Sequence, residues 1–249
     1  MIFRQLFEPL SCTYTYLLGC EESGQAILID PVVVAMERDL DQIRQLGLTL
    51  ACTLDTHIHA DHITAALELK QKTGSKIAAP AFDRLPCVDT GVEEGRPFRV
   101  GSLVLQPLHT PGHTDGHHAY LCGDRVFTGD ALLIEGCGRT DFQNGNPDAL
   151  FRSVHEKLFS LPDDCLVYPA HDYDNRRVSS IAQEKKRNPR LGKERTLEQF
   201  REIMANLNLP YPTFIDYAVP GNRQCGACPS HLPDELRKYC QQMTESRQG

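Results

Sequence analysis

Three features that would place this chain in other classes of protein are missing from its sequence. No run of apolar residues reaches the length of about 20 that a membrane-spanning helix needs. The amino-terminal residues 1–8 lack the charged and then apolar pattern of a secretion signal. The formal net charge is −7, whereas a protein that binds nucleic acid needs clustered basic charge to neutralise phosphates. We therefore expect a cytoplasmic protein that engages neither a membrane nor a nucleic acid.

The cysteines also lack the pattern of a small secreted domain. Ten of them are scattered along 249 residues, which favours reduced thiols in a reducing compartment. Cys225 and Cys228 form one Cys-x-x-Cys pair, with His231 and Cys240 downstream. A single pair of this kind is weak evidence for a structural zinc ion, so we do not expect one there.

The length of the chain is sufficient for one large domain with a buried core. The sequence shows neither an internal repeat nor a linker long enough to separate two domains. We predict a single domain over residues 1–249, in which a C-terminal helical extension (about 176–249) packs on the rest. The one locally basic stretch, residues 185–193, is interpreted as a solvated helix end and loop, with docking of a small anion as the alternative.

Strand and helix signals alternate in the first half of the chain, and strands dominate the middle. The predicted strands are 13–18, 26–29, 50–54, 103–108, 119–122, 125–128 and 166–168, and the first of them has the alternation of a half-buried strand. Gly47 and Gly74 are placed to end two helices, and Asn146 followed by Pro147 predicts the start of a third. The remainder is predicted to be helical, with a proline-rich loop at 209–220. This pattern indicates two sheets packed face to face and covered by helices.

Side chains that bind metals follow several of the predicted strands. The candidate ligands are His57, His59, Asp61, His62, His113, Asp130 and His171. A lone histidine is most often structural, but here four ligand-type side chains occur within the six residues 57–62. Imidazole and carboxylate suit zinc and ferrous iron, and loops at strand ends commonly carry catalytic groups. The sequence therefore predicts a metal centre. Structural roles are expected for His109, His117, His118, His155 and His231.

Taken in this order, the segments resemble those of the metallo-β-lactamase superfamily over roughly residues 1–175. The resemblance implies an α+β protein, a four-layered αββα sandwich with metal at the edge of the two sheets. It also implies that Asp30, which follows a buried strand, braces a loop and is not a ligand. On ligand types alone the expected enzyme is a dizinc hydrolase, in which a metal-bound hydroxide attacks a glutathione thioester as in glyoxalase II.

A second resemblance extends along nearly the whole chain and changes that expectation. Residues 129–143, 168–173, 188–191, 206–210 and 218–220 are similar to the persulfide dioxygenases, the family of the ethylmalonic encephalopathy protein. The sequence of the 57–62 segment also departs from the three consecutive histidines that are usual in glyoxalase II. The match includes the carboxyl-terminal part of the chain, where glyoxalase II has a different helical domain.

This second resemblance implies a mononuclear site that holds one Fe(II) per chain. The iron ligands would be His57, His113 and Asp130, a set of two histidines and one carboxylate that leaves positions open for substrate and O2. The residues expected to orient these ligands are His59, Asp61, His62 and His171. The residues expected on the substrate side are Arg139, Tyr173, Arg190 and Cys225. Structural alternatives remain open, namely a buried salt bridge for Arg139, a core aromatic for Tyr173 and simple packing for Cys225.

The reaction implied by the family is the oxidation of glutathione persulfide by O2 and water to sulfite and glutathione, as a step of sulfide oxidation. The expected partners are therefore small molecules. Some relatives carry a fused sulfur-transfer domain that this sequence does not show, so a persulfide-generating or sulfur-transfer enzyme would be a separate protein. A homo-oligomer is compatible with the sequence. The alternatives are a dizinc thioester hydrolase of the glyoxalase II type and a non-catalytic thiol or metal sensor, although the complete ligand set weighs against the sensor.

Overall fold

The computed structural model describes residues 1–227, and its secondary structure alternates as the sequence indicates. The strands are β1 (Ile2–Glu8), β2 (Thr13–Gly19), β3 (Gln25–Ile29), β4 (Thr49–Leu54), β5 (Lys76–Pro80), β6 (Thr90–Val92), β7 (Phe98–Val100), β8 (Leu103–His109), β9 (His118–Cys122), β10 (Arg125–Gly129), β11 (Leu166–Pro169) and β12 (Ser179–Ser180). The α-helices are α1 (Met36–Gln45), α2 (Ala66–Thr73), α3 (Pro147–Arg152), α4 (Ile181–Arg187), α5 (Leu197–Ala205) and α6 (Ile215–Asn222). Helix α3 continues into a π-helical segment at Ser153–Leu158.

The strands form two six-stranded sheets, and each sheet is built from one half of the chain. Strands β1 to β6 lie in sequence order in the first sheet, and β7 to β12 lie in sequence order in the second. In the first sheet β3 pairs in parallel with β4, β4 with β5, and β5 with β6. In the second sheet β10 pairs in parallel with β11. Helices α1 and α2 make crossovers in the first sheet and α3 makes the crossover in the second, because parallel neighbours need a long connection.

Three apolar clusters separate four layers. The cluster between the two sheets includes Tyr16 and Leu54 from the first sheet and Tyr120 and Phe127 from the second. The outer face of the first sheet packs on α1, α2 and α6 through Leu28, Met36, Leu69 and Ala218. The outer face of the second sheet packs on α3, α4 and α5 through Val126, Leu150, Ile181 and Phe200. The predicted four-layered αββα sandwich is confirmed.

Helix ends follow the signals in the sequence. Asn146 accepts a hydrogen bond on its side chain from the backbone N–H of Ala149 at 2.9 Å, with Pro147 in the first turn of α3. Gly74 ends α2 in the left-handed conformation, with φ at 73°, where a side chain would be strained. These two predictions are confirmed.

Two local predictions were wrong. Strand β2 is buried on both faces, not on one, because the first sheet is covered by the second sheet and by helices. The proline-rich loop at 209–220 ends early, since α6 begins at Ile215 and continues through Pro220. Proline removes one helical hydrogen bond, but Ala218 packs in the outer core of the first sheet and keeps this segment helical.

The expected C-terminal extension is described up to residue 227. In that part β12 joins the second sheet, Phe200 of α5 lies in the outer core of the second sheet, and Ala218 of α6 lies in that of the first. Residues 228–249 lie outside the described residues, and with them Cys228, His231 and Cys240. Among the described residues, no helix is long and apolar enough to cross a membrane.

The expectation of reduced cysteines fails for one pair. Cys87 and Cys225 form a disulfide that joins positions 138 residues apart. The remaining cysteines of residues 1–227 are free, and all except Cys12 are buried. With its sulfur in this bond, Cys225 has no thiolate to offer a zinc ion.

Candidate metal centre and its cleft

The loop that follows β4 carries four of the candidate ligands, and Asp30 at the end of β3 holds it in place. The Oδ1 atom of Asp30 accepts a hydrogen bond from the backbone N–H of Thr56 at 2.7 Å, and its Oδ2 accepts one from the Thr56 hydroxyl at 3.0 Å. Asp30 itself adopts a left-handed backbone conformation, with φ at 49°. The carboxylate is thus fully used in bracing the loop, as the sequence suggested.

A chain of hydrogen bonds sets the orientation of the His57 ring. The hydroxyl of Thr56 donates to Asp30, so it accepts from Nδ1–H of His57, which lies 2.9 Å away. A neutral imidazole with a proton on Nδ1 has its lone pair on Nε2. Burial and the neighbouring histidines hold the pKa of His57 well below its usual range, so the ring stays neutral. Neutral imidazole is the form that binds a metal ion.

His113 is oriented by a backbone carbonyl from the second sheet's loops. Its Nδ1 lies 2.8 Å from the carbonyl oxygen of Arg139, which can only accept, so Nδ1 carries the proton. In the neutral ring, the Nε2 lone pair faces Oδ2 of Asp130 at 3.4 Å. Two acceptors at this distance repel each other unless a proton or a cation lies between them.

Asp130 is held at the end of β10 by contacts on its backbone. Its N–H donates to Nε2 of His117 at 3.0 Å, and that ring is in turn fixed by the Thr110 hydroxyl at 2.8 Å. Gly129 before it has a φ of 51°, and a Cβ atom there would lie only 2.4 Å from the His117 ring. The structural role expected for His117 is confirmed, and its function is to position Asp130.

The three residues fit a metal ion. One ligand atom from each of His57, His113 and Asp130 lies within 4.8 Å of the others. The Oδ1 atom of Asp130 is buried without a hydrogen-bond partner, which is costly unless a cation or water satisfies it. Two imidazoles and one carboxylate that converge in this way form a donor set for zinc or ferrous iron.

A second potential group lies beside the first. His59, Asp61 and His62 also have ligand atoms within 4.8 Å of one another. Both Nδ1 of His59 and Nε2 of His62 are buried without a partner, while the opposite nitrogen of each ring pairs with a carboxylate. His171 places Nε2 3.5 Å from Asp61 and 3.6 Å from Asp130, so it lies between the two groups. All seven candidate ligands therefore come together.

The metal centre opens onto a cleft of about 760 Å³. His113, Asp130 and His171 lie on its floor side, and residues 209–213 before α6 form part of its wall. The volume falls within the range of about 300–1,000 Å³ that small-molecule sites occupy.

Arg139 lines this cleft, but its guanidinium is engaged elsewhere. It forms a bidentate pair with Asp141 at 2.6 and 2.7 Å and donates to the carbonyl of Pro210 at 2.7 Å. Its charged group also lies 4.6 Å from the centre of the Phe142 ring. The Arg139 side chain therefore forms a salt bridge, as the structural alternative expected. The bridge is not buried, however, because Asp141 is mostly exposed.

Arg190 also lines the cleft, and its guanidinium has no acidic partner among residues 1–227. Its Nη1 donates to the carbonyl oxygen of Cys137 at 2.9 Å, and no carboxylate of the described part lies within salt-bridge distance. Tyr173 lies at the mouth, 69% exposed, with its ring stacked parallel to that of His171. It is therefore not a core aromatic.

The structure does not bring Cys225 to the cleft. Its side chain is buried beside Ala66 and Ile77, on the helix side of the first sheet, and its sulfur is bonded to Cys87. The assignment of Cys225 to the substrate side is corrected for this reason. The basic stretch near residues 185–195 surrounds a separate cavity of about 700 Å³ that shares Pro189 with the main cleft.

Asn222 is a contributor to the metal centre that the sequence did not reveal. Its Nδ2 donates to the carbonyls of His59 and His62 at 2.9 and 2.8 Å, and its Oδ1 accepts from the N–H of Thr64 at 2.9 Å. One amide from the end of α6 therefore supports the loop that follows β4 (residues 55–65, the metal loop). Because more than 150 residues separate these partners, no local pattern could have indicated the contact.

Comparisons with known proteins agree with this geometry. The Metallo-beta-lactamase superfamily matches residues 13–171. The mitochondrial persulfide dioxygenase ETHE1 of Homo sapiens is 47% identical over 234 residues, covering 91% of this chain and 89% of that protein. The crystal structure of ETHE1 from Myxococcus xanthus is 54% identical, with a TM-score of 0.89, and covers 91% of this chain and 100% of that one. A hydroxyacylglutathione hydrolase of Methylococcus capsulatus is 38% identical, over 66% of this chain and 64% of that protein.

The two sheets and the histidine and aspartate residues at their edge define a protein of the metallo-β-lactamase superfamily. Within that superfamily the chain belongs to the family of the persulfide dioxygenases.

Proposed function

We propose that this chain is an iron-dependent dioxygenase that converts glutathione persulfide, O2 and water into glutathione, sulfite and two protons. The observation that carries this proposal is the group His57, His113 and Asp130, of which the last two line the cleft. The high coverage of relatives named persulfide dioxygenase supports the choice of reaction. One Fe(II) per chain is proposed, because three protein ligands suffice to hold a metal that keeps positions open for substrates.

The contribution of the protein itself would be to hold the metal ligands in fixed positions. When bound, iron supplies the redox chemistry that couples O2 to the terminal sulfur of the persulfide. Thr56 and the Arg139 carbonyl fix the two imidazole rings, and His117 fixes the backbone of Asp130. Held in this way, the ligands need little rearrangement when metal and substrate bind, which keeps the reacting groups close together.

The cleft is suited to an anionic thiol derivative. Glutathione carries two carboxylates, and Arg190 offers a guanidinium without an acidic partner in the described part. Tyr173 at the mouth and the backbone of Arg139 would border the same ligand. Cys137 also lines the cleft, but burial raises the pKa of its thiol to about 11, so it stays protonated and is a poor nucleophile.

A dizinc thioester hydrolase is the second candidate. It is favoured by one observation, the complete second group of His59, Asp61 and His62 with His171 beside it. The partial match to a hydroxyacylglutathione hydrolase is consistent with it. In the mononuclear proposal the same four residues lie beside the iron ligands, with the His59 ring centre 4.1 Å from that of His57 and His171 Nε2 3.6 Å from Asp130. The expectation that they hydrogen-bond to the iron ligands is corrected, because among the described residues their side-chain hydrogen bonds go to Asp30, Thr13, Cys12 and one another.

Substrate turnover separates the two candidates. Protein purified under low oxygen is expected to contain about one iron per chain, because only one group is proposed to hold metal. With glutathione persulfide it should consume O2 and release sulfite in equal amounts, and with S-lactoylglutathione it should do little. An O2 electrode, sulfite analysis and metal analysis provide the measurements. The same protein stripped of metal by a chelator is the control.

Rapid hydrolysis of S-lactoylglutathione without O2 uptake, by protein that holds two zinc ions, would replace the dioxygenase with the hydrolase. Protein that binds metal but turns over neither compound would favour the remaining alternative, a non-catalytic thiol or metal sensor.

We further propose a cytoplasmic location and a separate enzyme as the source of the persulfide. Buried free thiols such as Cys52 and Cys165 are compatible with a reducing compartment. The curated mammalian relatives are mitochondrial by name, so fractionation of cells that express the tagged chain is the direct test.

A further inference from the structure

The Cys87–Cys225 disulfide stands apart from the other cysteines of the described chain. It closes a loop of 138 residues, whereas the six other described cysteines are free. Cys225 is 2% exposed, while Cys87 is only half-buried, so we expect a reagent in solution to approach the bond from the Cys87 side. Disulfides that occur in otherwise reduced proteins are usually redox-active, not permanent.

The carboxyl-terminal side of this bond is coupled to the metal loop. Cys225 accepts a hydrogen bond on its carbonyl from the N–H of Leu67 at 3.0 Å. Gly226, with φ at 93°, is packed so closely that a Cβ atom would lie 2.0 Å from the carbonyl oxygen of Thr64. Three residues before the disulfide, Asn222 bonds to the carbonyls of His59 and His62.

The other side of the bond is anchored to the first sheet. Cys87 lies between β5 and β6, and Asp89, two residues further on, accepts a hydrogen bond on its side chain from the backbone N–H of Ile77 at 2.8 Å. Ala66, Ile77 and Cys225 form one small apolar cluster, with Cys87 packed against it. The disulfide therefore ties the segment that carries Asn222 to the turn that precedes β6 of the first sheet.

We propose that Cys87 and Cys225 form an exchange site for low-molecular-weight thiols of the glutathione class, through which the thiol pool sets how firmly the metal loop is held. With the bond intact, the segment 222–226 is fixed and Asn222 supports the loop. With the bond reduced, only hydrogen bonds and a small apolar cluster hold this segment, and the loop opens more often. This control goes beyond the proposed reaction, since it acts on any metal that the loop holds.

The exchange proceeds in two balanced steps. A thiolate in solution attacks the half-buried sulfur of Cys87, the bond between the two protein sulfurs breaks, and Cys225 leaves with the electron pair and takes up a proton. A second thiolate attacks the resulting mixed disulfide and releases Cys87 as a thiol. In total the protein gains two electrons and two protons, and two thiols become one small-molecule disulfide.

The test uses the full metal-loaded chain in buffers of reduced and oxidised glutathione. Alkylation and mass spectrometry are expected to find Cys87 and Cys225 linked in the oxidised buffer and free in the reduced one. In the reduced state, metal should pass to a chelator about 10-fold faster, which is the lower end of the effect of lost support around a ligand. Amide hydrogen exchange of residues 57–67 should accelerate in parallel.

Two variants complete the experiment. Cys87→Ser should release metal at the fast rate in both buffers, because it cannot form the bond. Cys165→Ser, which removes a buried free thiol on the outer face of the second sheet, should keep the dependence on the buffer. If either variant fails to fold, the comparison of the wild-type chain in the two buffers still tests the proposal.

Three results would overturn the inference. They are a bond that is absent from the purified protein, a bond that resists reduced glutathione, and metal release that is equal in the two buffers. None of these measurements depends on turnover, so failure of the proposed reaction would leave the result interpretable.

Discussion

Asp130→Ala is expected to abolish most metal binding and with it most activity. The substitution removes the only carboxylate of the group formed with His57 and His113. Without it, two imidazoles remain, and a divalent cation loses both a ligand and the negative charge that offsets its own. Loss of groups that only support a ligand costs about 10- to 100-fold in affinity or activity, so loss of this ligand should exceed 100-fold. Iron per chain and O2 uptake are the measurements.

Asp61→Ala provides the matched control for this prediction. Asp61 is also a carboxylate of the centre, but it accepts hydrogen bonds from Thr13 and His62 and lies in the second group. If one ion is held by the first group, Asp61→Ala and His59→Ala should retain most of the iron. Equal metal loss in all three variants would contradict the mononuclear assignment, and loss of one ion of two in Asp61→Ala would favour the dizinc hydrolase.

Arg190→Gln is expected to weaken substrate binding by about 10- to 150-fold. A hydrogen bond to a charged group contributes roughly 1.5–3 kcal/mol, and Arg190 is proposed to supply one to a carboxylate of glutathione. That contact lies away from the reacting sulfur and stabilises ground state and transition state alike, so KM should rise more than kcat falls. Lysine at this position should restore only part of the loss, since it keeps the charge but not the planar fork. The measurement is steady-state kinetics at equal iron content.

Two other arginines serve as controls for Arg190. Arg187→Gln removes a cation that borders the neighbouring basic cavity and not the cleft, so its KM should be unchanged. Arg139→Gln breaks the pair with Asp141 and the bond to Pro210, next to the carbonyl that orients His113. It should lower iron content and kcat together. An Arg190→Gln enzyme with the KM of the wild type would refute the role given to this residue.

The parts of the site that the sequence revealed are those that local chain geometry determines. His57, His113, Asp130 and His171 each follow a strand closely, so a prediction of the strands already brings these residues to one edge of the sandwich. Asp30 was correctly interpreted as a brace for the same reason. Short motifs carry this information because the strand and its following loop are contiguous.

The parts that the sequence did not reveal depend on contacts between distant segments. Asn222 reaches the metal loop from the end of α6, and Cys87 meets Cys225 across 138 residues. Pro220 favoured a loop in the sequence, but packing of α6 on the first sheet kept the helix. The sequence left a salt bridge of Arg139 as one alternative but could not single out Asp141, because a charge two residues away is as compatible with solvent as with an ion pair.

The division of the two sheets between the two halves of the chain has a consequence for folding. Each sheet pairs strands that are neighbours in sequence, so either sheet can form without contacts to the other half of the chain. His57 belongs to the first half, whereas His113 and Asp130 belong to the second. If these three residues hold the ion, as proposed, it has no complete binding place until the halves dock, and it should slow unfolding without accelerating the earlier steps of refolding. In a refolding experiment, capture of metal would mark the moment at which the two halves meet.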